Sequence, residues 1–227
     1  MSTVDSARVV TFAEVKAHPK VKALIDGANN VMRAMGYTEH GQRHVGVVSN
    51  ITRSIMEKLE MPAREVELGR IAAYLHDIGN CINRNNHPVT GACLAYSILD
   101  EMGMPAEEIA PILGAIGNHE ELQGVPVSVM SAALIVADKS DVHYSRVQNP
   151  IIETFDIHDR VNYAVQKSRV EIVPERKEIE LVLETDTANA TVMEYFEIFL
   201  TRMVMCRKAC EVFGYDFMLN VNGTRLE

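Results

Sequence analysis

Apolar residues recur every three or four positions through most of the chain up to Pro150, the period of helices that bury one face. From His18 to Met35 the buried stripe is Val21, Leu24, Ile25, Ala28, Val31, Met32 and Met35, and Gly36 stops it. A second helix is predicted from about Gly41 to Leu59, with His44 one turn ahead of Val48 on the inner side. Pro62 suits a helix start, and the stretch from Ala63 carries Val66, Leu68, Ile71, Ala72 and Leu75 into His76-Asp77 before Gly79 closes it. Asn80 to Asn86 reads as a loop. His87-Pro88 opens a helix to Met102, Pro105 opens another over Ala106 to Gly117 with His119 just past its end, and a further helix from Ser128 places Asp138 near its middle.

Beyond Pro150 the pattern changes. Arg169 to Val173 and Ile179 to Glu184 alternate apolar and charged residues around Pro174-Glu175-Arg176-Lys177, the signature of a hairpin with a polar turn. Asp156 to Ser168 reads as a link, and a last helix is expected over about Thr191 to Phe213. Its Met and aromatic stripe suits a core or a dimer contact, because Met fills irregular apolar gaps. The expected fold is all-α: an irregular helical bundle with a small β-hairpin and a C-terminal helix. Residues 18–150 would form a metal-binding helical domain and residues 151–227 an appendage packed on it.

Composition narrows the partners. The chain has 227 residues, 47% of them hydrophobic, enough to bury a real core. A formal charge of -9, from 31 acidic against 22 basic residues, opposes binding to a nucleic-acid polymer, and no basic run occurs. Cys81, Cys93, Cys206 and Cys210 form no CxxC pair, so buried, reduced thiols are expected rather than disulfides or a zinc knuckle. Met1 to Val10 lacks the apolar stretch of a signal peptide, and no window approaches the roughly 18 apolar residues of a membrane span. The expected location is cytoplasmic.

The candidate chemistry lies at the helix ends. His44, His76, Asp77, His87, His119 and Asp138 are imidazole and carboxylate side chains, the ligand types of borderline metals such as Fe, Mn, Ni, Co or Zn rather than of calcium. Adjacent residues of a helix point about 100° apart, so His76 and Asp77 cannot bind one ion as a facing pair. Near a helix end, Asp77 can instead lie between two ions, with His44, His76 and Asp138 completing one site and His87 and His119 holding the second. Two metals roughly 3.5–4 Å apart, holding a shared hydroxide, form a clamp for hydrolysis at phosphorus that needs no Ser or Cys nucleophile.

The ordered set His44, His76-Asp77, Asp138 resembles the HD-domain superfamily of metal-dependent phosphohydrolases, over about residues 40 to 146. Asn86-His87-Pro88-Val89-Thr90-Gly91-Ala92 and Asn118-His119-Glu120 look like the additional histidine motifs of its two-metal branches, among them cyclic-dinucleotide phosphodiesterases and symmetrical dinucleoside polyphosphate hydrolases. The chain departs from the former branch. Asn80 stands where a lysine usually follows HDxG, Asn118 stands where a histidine doublet is usual, and Gly124-Val125-Pro126 replaces the Gly-Tyr-Pro signature.

Positive charge for a substrate phosphate is expected from Arg146 first, because arginine offers bidentate contacts, with Lys139 and Arg84 as further candidates. Glu120 is a candidate to orient a ligand histidine or relay a proton, while His40, His143 and His158 have no place in the pattern. The leading expectation is an enzyme that cleaves a phosphoester or phosphoanhydride of a small nucleotide-like molecule by metal-bound hydroxide, with one or two divalent transition-metal ions and a possible homodimer. The alternative is a regulatory module that holds metal and nucleotide without cleavage.

Overall fold

The computed structural model describes residues 8–226; most of the Met1–Val10 stretch read above for a signal peptide lies outside the described residues. Helix α1 (Phe12–Ala17), absent from the sequence reading, starts at a reciprocal cap between Thr11 and Glu14. It is short, but it turns Phe12 edge-on to Tyr74, with ring centroids 5.6 Å apart. Helices α2 (Pro19–Ala34), α3 (Gln42–Lys58) and α4 (Ala63–Leu75) follow within a residue or so of the expected limits. Each ends where the apolar stripe ends.

Helix α4 is the axis of the bundle. From Leu68 to Leu75 the only residue not fully buried is Arg70, because α1, α3, α6 and α7 all pack around it. Helices α5 (His87–Glu101) and α6 (Ala106–Gly117) form a pair beside it, and α7 (Val129–Lys139), capped by the Ser128 hydroxyl, is buried at nearly every position. Asp138 sits at the last turn of α7 rather than near the middle of a longer helix, since the chain leaves the helix at Ser140.

The link expected over 156–168 contains helix α8 (Ile157–Ala164), started by the Asp156 side chain on the Asp159 amide. The hairpin is present and longer than expected, as β1 (Val165–Val173) and β2 (Glu178–Thr185). Helix α9 (Val192–Phe213) runs from the Thr191–Glu194 capping box to Gly214 in the left-handed conformation. Two strands follow it. β3 (Asp216–Val221) pairs parallel to β2, with Leu181 opposite Leu219, and β4 (Thr224–Leu226) turns back antiparallel.

The all-α expectation is therefore corrected: a four-stranded sheet in the order β1-β2-β3-β4 accompanies the helices. Its last hairpin turns at Asn222-Gly223, both with positive φ, the Asn-Gly pair that favours a tight two-residue turn. That signal was in the sequence and was passed over once the apolar stripe of α9 ended. The sheet and α8 cover one core built on Val165, Leu181, Leu183, Phe199 and Leu219. Met205, Ala209 and Cys210 of α9 enter the larger core of the helical bundle, so α9 is shared by both. Of the four free thiols, Cys206 and Cys210 are buried as expected, Cys81 is half-buried, and Cys93 is exposed on α5, which corrects the expectation for it.

The approach of α5 to the end of α4 is set by two glycines. A Cβ on Gly79 would collide with the His87 carbonyl oxygen and the Gly91 amide nitrogen, both backbone atoms that cannot rotate away. Gly79→Ala is expected to lower stability by about 3 kcal/mol, the upper end of what overpacking costs, because the atoms met are backbone. Chemical denaturation of the variant checks this, and an unchanged midpoint would show that the two segments are not held in contact.

Candidate metal centre

Helix α4 ends at Leu75, and the chain passes through His76 into Asp77 at φ -99, ψ 0, then into a 3-10 turn over Ile78–Cys81. Leaving the α-helix at this point removes the 100° splay expected for adjacent helical residues. His76 Nε2 lies 3.3 Å from Asp77 Oδ2, so both face one centre. On that side His44 Nε2 is 3.5 Å from Asp77 Oδ2 and 3.3 Å from Asp138 Oδ1. The other carboxylate oxygen looks the opposite way. Asp77 Oδ1 is 3.5 Å from His87 Nε2 and 3.8 Å from His119 Nε2, and it accepts a bond from Asn80 Nδ2 at 2.8 Å.

All six candidate ligands are thus brought together, in overlapping sets whose donor atoms lie within 4.8 Å of one another. Asp77 stands between the two halves. The imidazoles are oriented from behind. The Nδ1 atoms of His76, His87 and His119 bond the carbonyls of Ala73, Arg84 and Ile116, each three residues earlier, and His44 Nδ1 bonds Asp141 Oδ2 at 2.7 Å. Carbonyls and carboxylates only accept, so each Nδ1 carries a proton and, in the neutral ring, each Nε2 turns a lone pair inward.

Three of the inward atoms, His44 Nε2, His76 Nε2 and Asp77 Oδ2, are buried with no hydrogen-bond partner. Buried polar atoms left unpaired are costly, and these three converge on one point without a partner. On the other side, His87 Nε2 and His119 Nε2 are 3.0 Å apart. Two lone pairs at that distance repel unless a proton or a cation lies between them. Burial drives the pKa of both rings below the usual histidine range, which disfavours the proton. The donor set therefore fits divalent cations bound through nitrogen and oxygen.

The charges around the centre agree. Burial opposes the His76 imidazolium, but the carboxylates of Asp77 and Asp138 outweigh it and raise its pKa to about 10. Burial also opposes ionisation of Asp77, yet His76 holds it well below the ordinary carboxylate range. Without a metal, a proton on His76 offsets the carboxylates. A bound cation would displace it.

The remaining candidates divide. Lys139, 4% exposed, lies between Asp138 Oδ2 at 2.6 Å and Glu121 Oε2 at 2.8 Å, so it neutralises carboxylates rather than facing a substrate. Arg146, expected first among the phosphate groups, is buried, with three donors on the carbonyls of Glu39 and Asp141. Arg84, 19% exposed, is better placed: one amine is 3.3 Å from His87 Nε2 and the other bonds Glu120. Glu120 Oε2 is itself 3.5 Å from His87 Nε2, at the edge of the centre.

His40 is buried beside His44, with ring centroids 5.5 Å apart; His143 bonds the Gln166 carbonyl, and His158, exposed, lines a cavity with His40 and Arg84. Sequence reasoning missed Asp141 behind His44, and it noted Asn80 only as a departure although its amide clamps Asp77. The presence of a second acid three residues after Asp138 was the available signal for the first.

The model of the family described as HD domain matches residues 42–153, the stretch that holds all six candidate ligands. This segment is an HD domain. HD domains bind divalent metals, and this one holds His and Asp clusters able to do so. It is 26% identical over 220 residues to the uncharacterized protein MJ1020 of Methanocaldococcus jannaschii, covering 86% of this chain and 84% of that one. A predicted HD superfamily hydrolase from an uncultured Thermotogales bacterium, known as a crystal structure, is 22% identical with a TM-score of 0.44. That match covers 59% of this chain and 75% of the other. No helix among the described residues is long and apolar enough to cross a membrane.

The loop after His119 is tied down by charge. Burial works against the Glu121 carboxylate, but Lys139 and Arg202 lower its pKa from the ordinary 4.5 to about 2. A carboxyl with a depressed folded-state pKa stabilises fully above its unfolded value, and the contribution is lost as pH falls through the folded one. Glu121→Gln is expected to cost on the order of 3 kcal/mol near neutral pH, because it leaves Lys139 short of a buried partner. Denaturation midpoints of wild type and variant should converge between pH 4.5 and 2. A gap that stays constant over that range would mean these cations do not hold the carboxylate.

Proposed function

We propose that this chain is a metal-dependent phosphohydrolase acting on a small, nucleotide-like phosphorylated molecule. The observation that carries the reading is the two-sided Asp77 carboxylate, with one oxygen toward His44 and His76 and the other toward His87 and His119. His44, His76, Asp77 and Asp138 would hold one ion, and Asp77, His87 and His119 a second. Ions bound this way polarise phosphoryl oxygens and make water a nucleophile near neutral pH.

The protein's own groups supply the rest. Two cavities meet at Arg84: one of about 370 Å³ lined by Tyr37, His40, Arg84, Arg146 and Arg202, the other of about 430 Å³ lined by Tyr37, Arg84, His87 and Glu120. Arg84, partly exposed where the two cavities meet, is the cation best placed to receive an anionic group there. Arg84 would hold the phosphoryl group against the His87 side of the centre. Glu120, next to both, is the group placed to take or return a proton.

Asn80 does not replace the lysine of the cyclic-dinucleotide branch in kind. It is fully buried and bonds both the carboxylate and the carbonyl of Asp77, so it orients a ligand instead of meeting a substrate.

Metal-free protein should release phosphate or nucleotide from a panel of nucleotides and aryl phosphates only after loading with Mn, Co, Ni or Fe. His87→Ala and His119→Ala should each lose one equivalent of metal and lower kcat at least about 100-fold, since the ions supply several kcal/mol of barrier lowering. Binding of intact nucleotide by metal-loaded protein, with no product after long incubation, would instead identify a regulatory module. Arg84→Ala should raise KM roughly tenfold through the lost charge-assisted contact, as steady-state kinetics on the best substrate would show.

A further inference from the structure

Four imidazoles face the centre, and three are held from behind in the same local way. His76, His87 and His119 each stand at a turn or helix end where the carbonyl three residues earlier is within reach of Nδ1. His44 does not use that device, although it lies in the first turn of α3. Its Nδ1 proton goes instead to Asp141, 97 positions away in sequence.

Asp141 is buried and fixed on several sides. Arg43 grips it through both amines, at 2.8 and 3.0 Å, and Arg146 Nε lies 3.6 Å from the oxygen that His44 uses. A carboxylate behind an imidazole makes the opposite nitrogen a stronger donor than a neutral carbonyl does, and it locks the ring orientation. The two halves of the centre are therefore not equivalent. We propose that Asp141 is a positioning residue that makes the His44 side of the centre the tighter half, so that the first ion loads between His44, His76, Asp77 and Asp138. The proposal rests on the metal-binding reading given above and adds an order of loading to it.

The test is calorimetric titration of the metal-free full chain with Mn²⁺ alone, comparing wild type with Asp141→Asn, Asp141→Glu and Arg43→Ala. Asp141→Asn should weaken the tightest binding step about 10–100-fold, as loss of such a partner typically does, and leave the weaker step nearly unchanged. Asp141→Glu should restore part of the affinity. Arg43→Ala is the milder variant: it keeps the carboxylate but loosens its grip, and should weaken the same step less. Titration with Co²⁺ adds a spectroscopic readout, since the visible absorption of the first equivalent should shift in Asp141→Asn and the second should not.

Equal weakening of both steps would overturn the proposal. So would an unchanged first step, or a weakening matched by loss of thermal stability in all the metal-free variants. A wild-type chain that takes up no ion would sink the phosphohydrolase reading itself, an outcome visible before any variant is compared.

Discussion

A carboxylate held in a dry interior between two pairs of imidazoles is a demanding arrangement, and much of the surrounding structure is explained by it. Asp77 is charged and buried, and isolated charges in such a place are strongly disfavoured. Its charge is offset on one side by His76 and directed by the Asn80 amide on the other. Asp138 beside it has one oxygen bound to Lys139 and the other left facing His44 and His76. The fold thus neutralises the outer oxygen of Asp138 and leaves Asp77 Oδ2, toward His44 and His76, without a hydrogen-bond donor. That is the electrostatic profile of a cation site, built in advance of the cation.

The precision of the arrangement comes from backbone as much as from side chains. Helix α4 is enclosed by other helices along most of its length, so its C-terminal end has a fixed position in the core. The Gly79–Gly91 approach then fixes the start of α5, and with it His87, against that end. Three of the four imidazoles bond carbonyls of their own turns, so their orientation follows wherever the helix ends are placed. His44 alone depends on a partner from a distant segment, and Asp141 is in turn held by Arg43 and Arg146.

Helix α9 is joined to the centre rather than merely attached to the bundle. Helix α9 sends Met205 and Cys210 into the helical core and Arg202 to Glu121, the neighbour of Glu120 and close to His119. The same helix lines the cavity beside the metal centre through Phe199 and Arg202. Lys139 links the two sides, since it bonds Glu121 and Asp138 together. The loop that follows His119 is therefore pinned by charges from α7 and α9.

The helices, their stops and the six candidate ligands could be read from the chain because they are local properties. A three-and-four apolar period needs only neighbouring residues, and His or Asp at the end of such a run is visible without coordinates. The sheet was only partly legible: the β1–β2 hairpin declared itself by alternation, but β3 pairs with β2 in parallel across the whole length of α9, and pairing over that separation leaves no local mark. The partners of Lys139 and Arg146 were not legible for a related reason. Composition shows that a charge exists, whereas its partners are chosen by packing, which put Lys139 on Glu121 and Arg146 on the carbonyls of Glu39 and Asp141. The sequence by itself determined which groups could bind a metal. Only the tertiary structure decided that Asp77 turns an oxygen to each half and that Asp141 stands behind His44, because directions and distances between remote segments are fixed by the core and not by the order of residues.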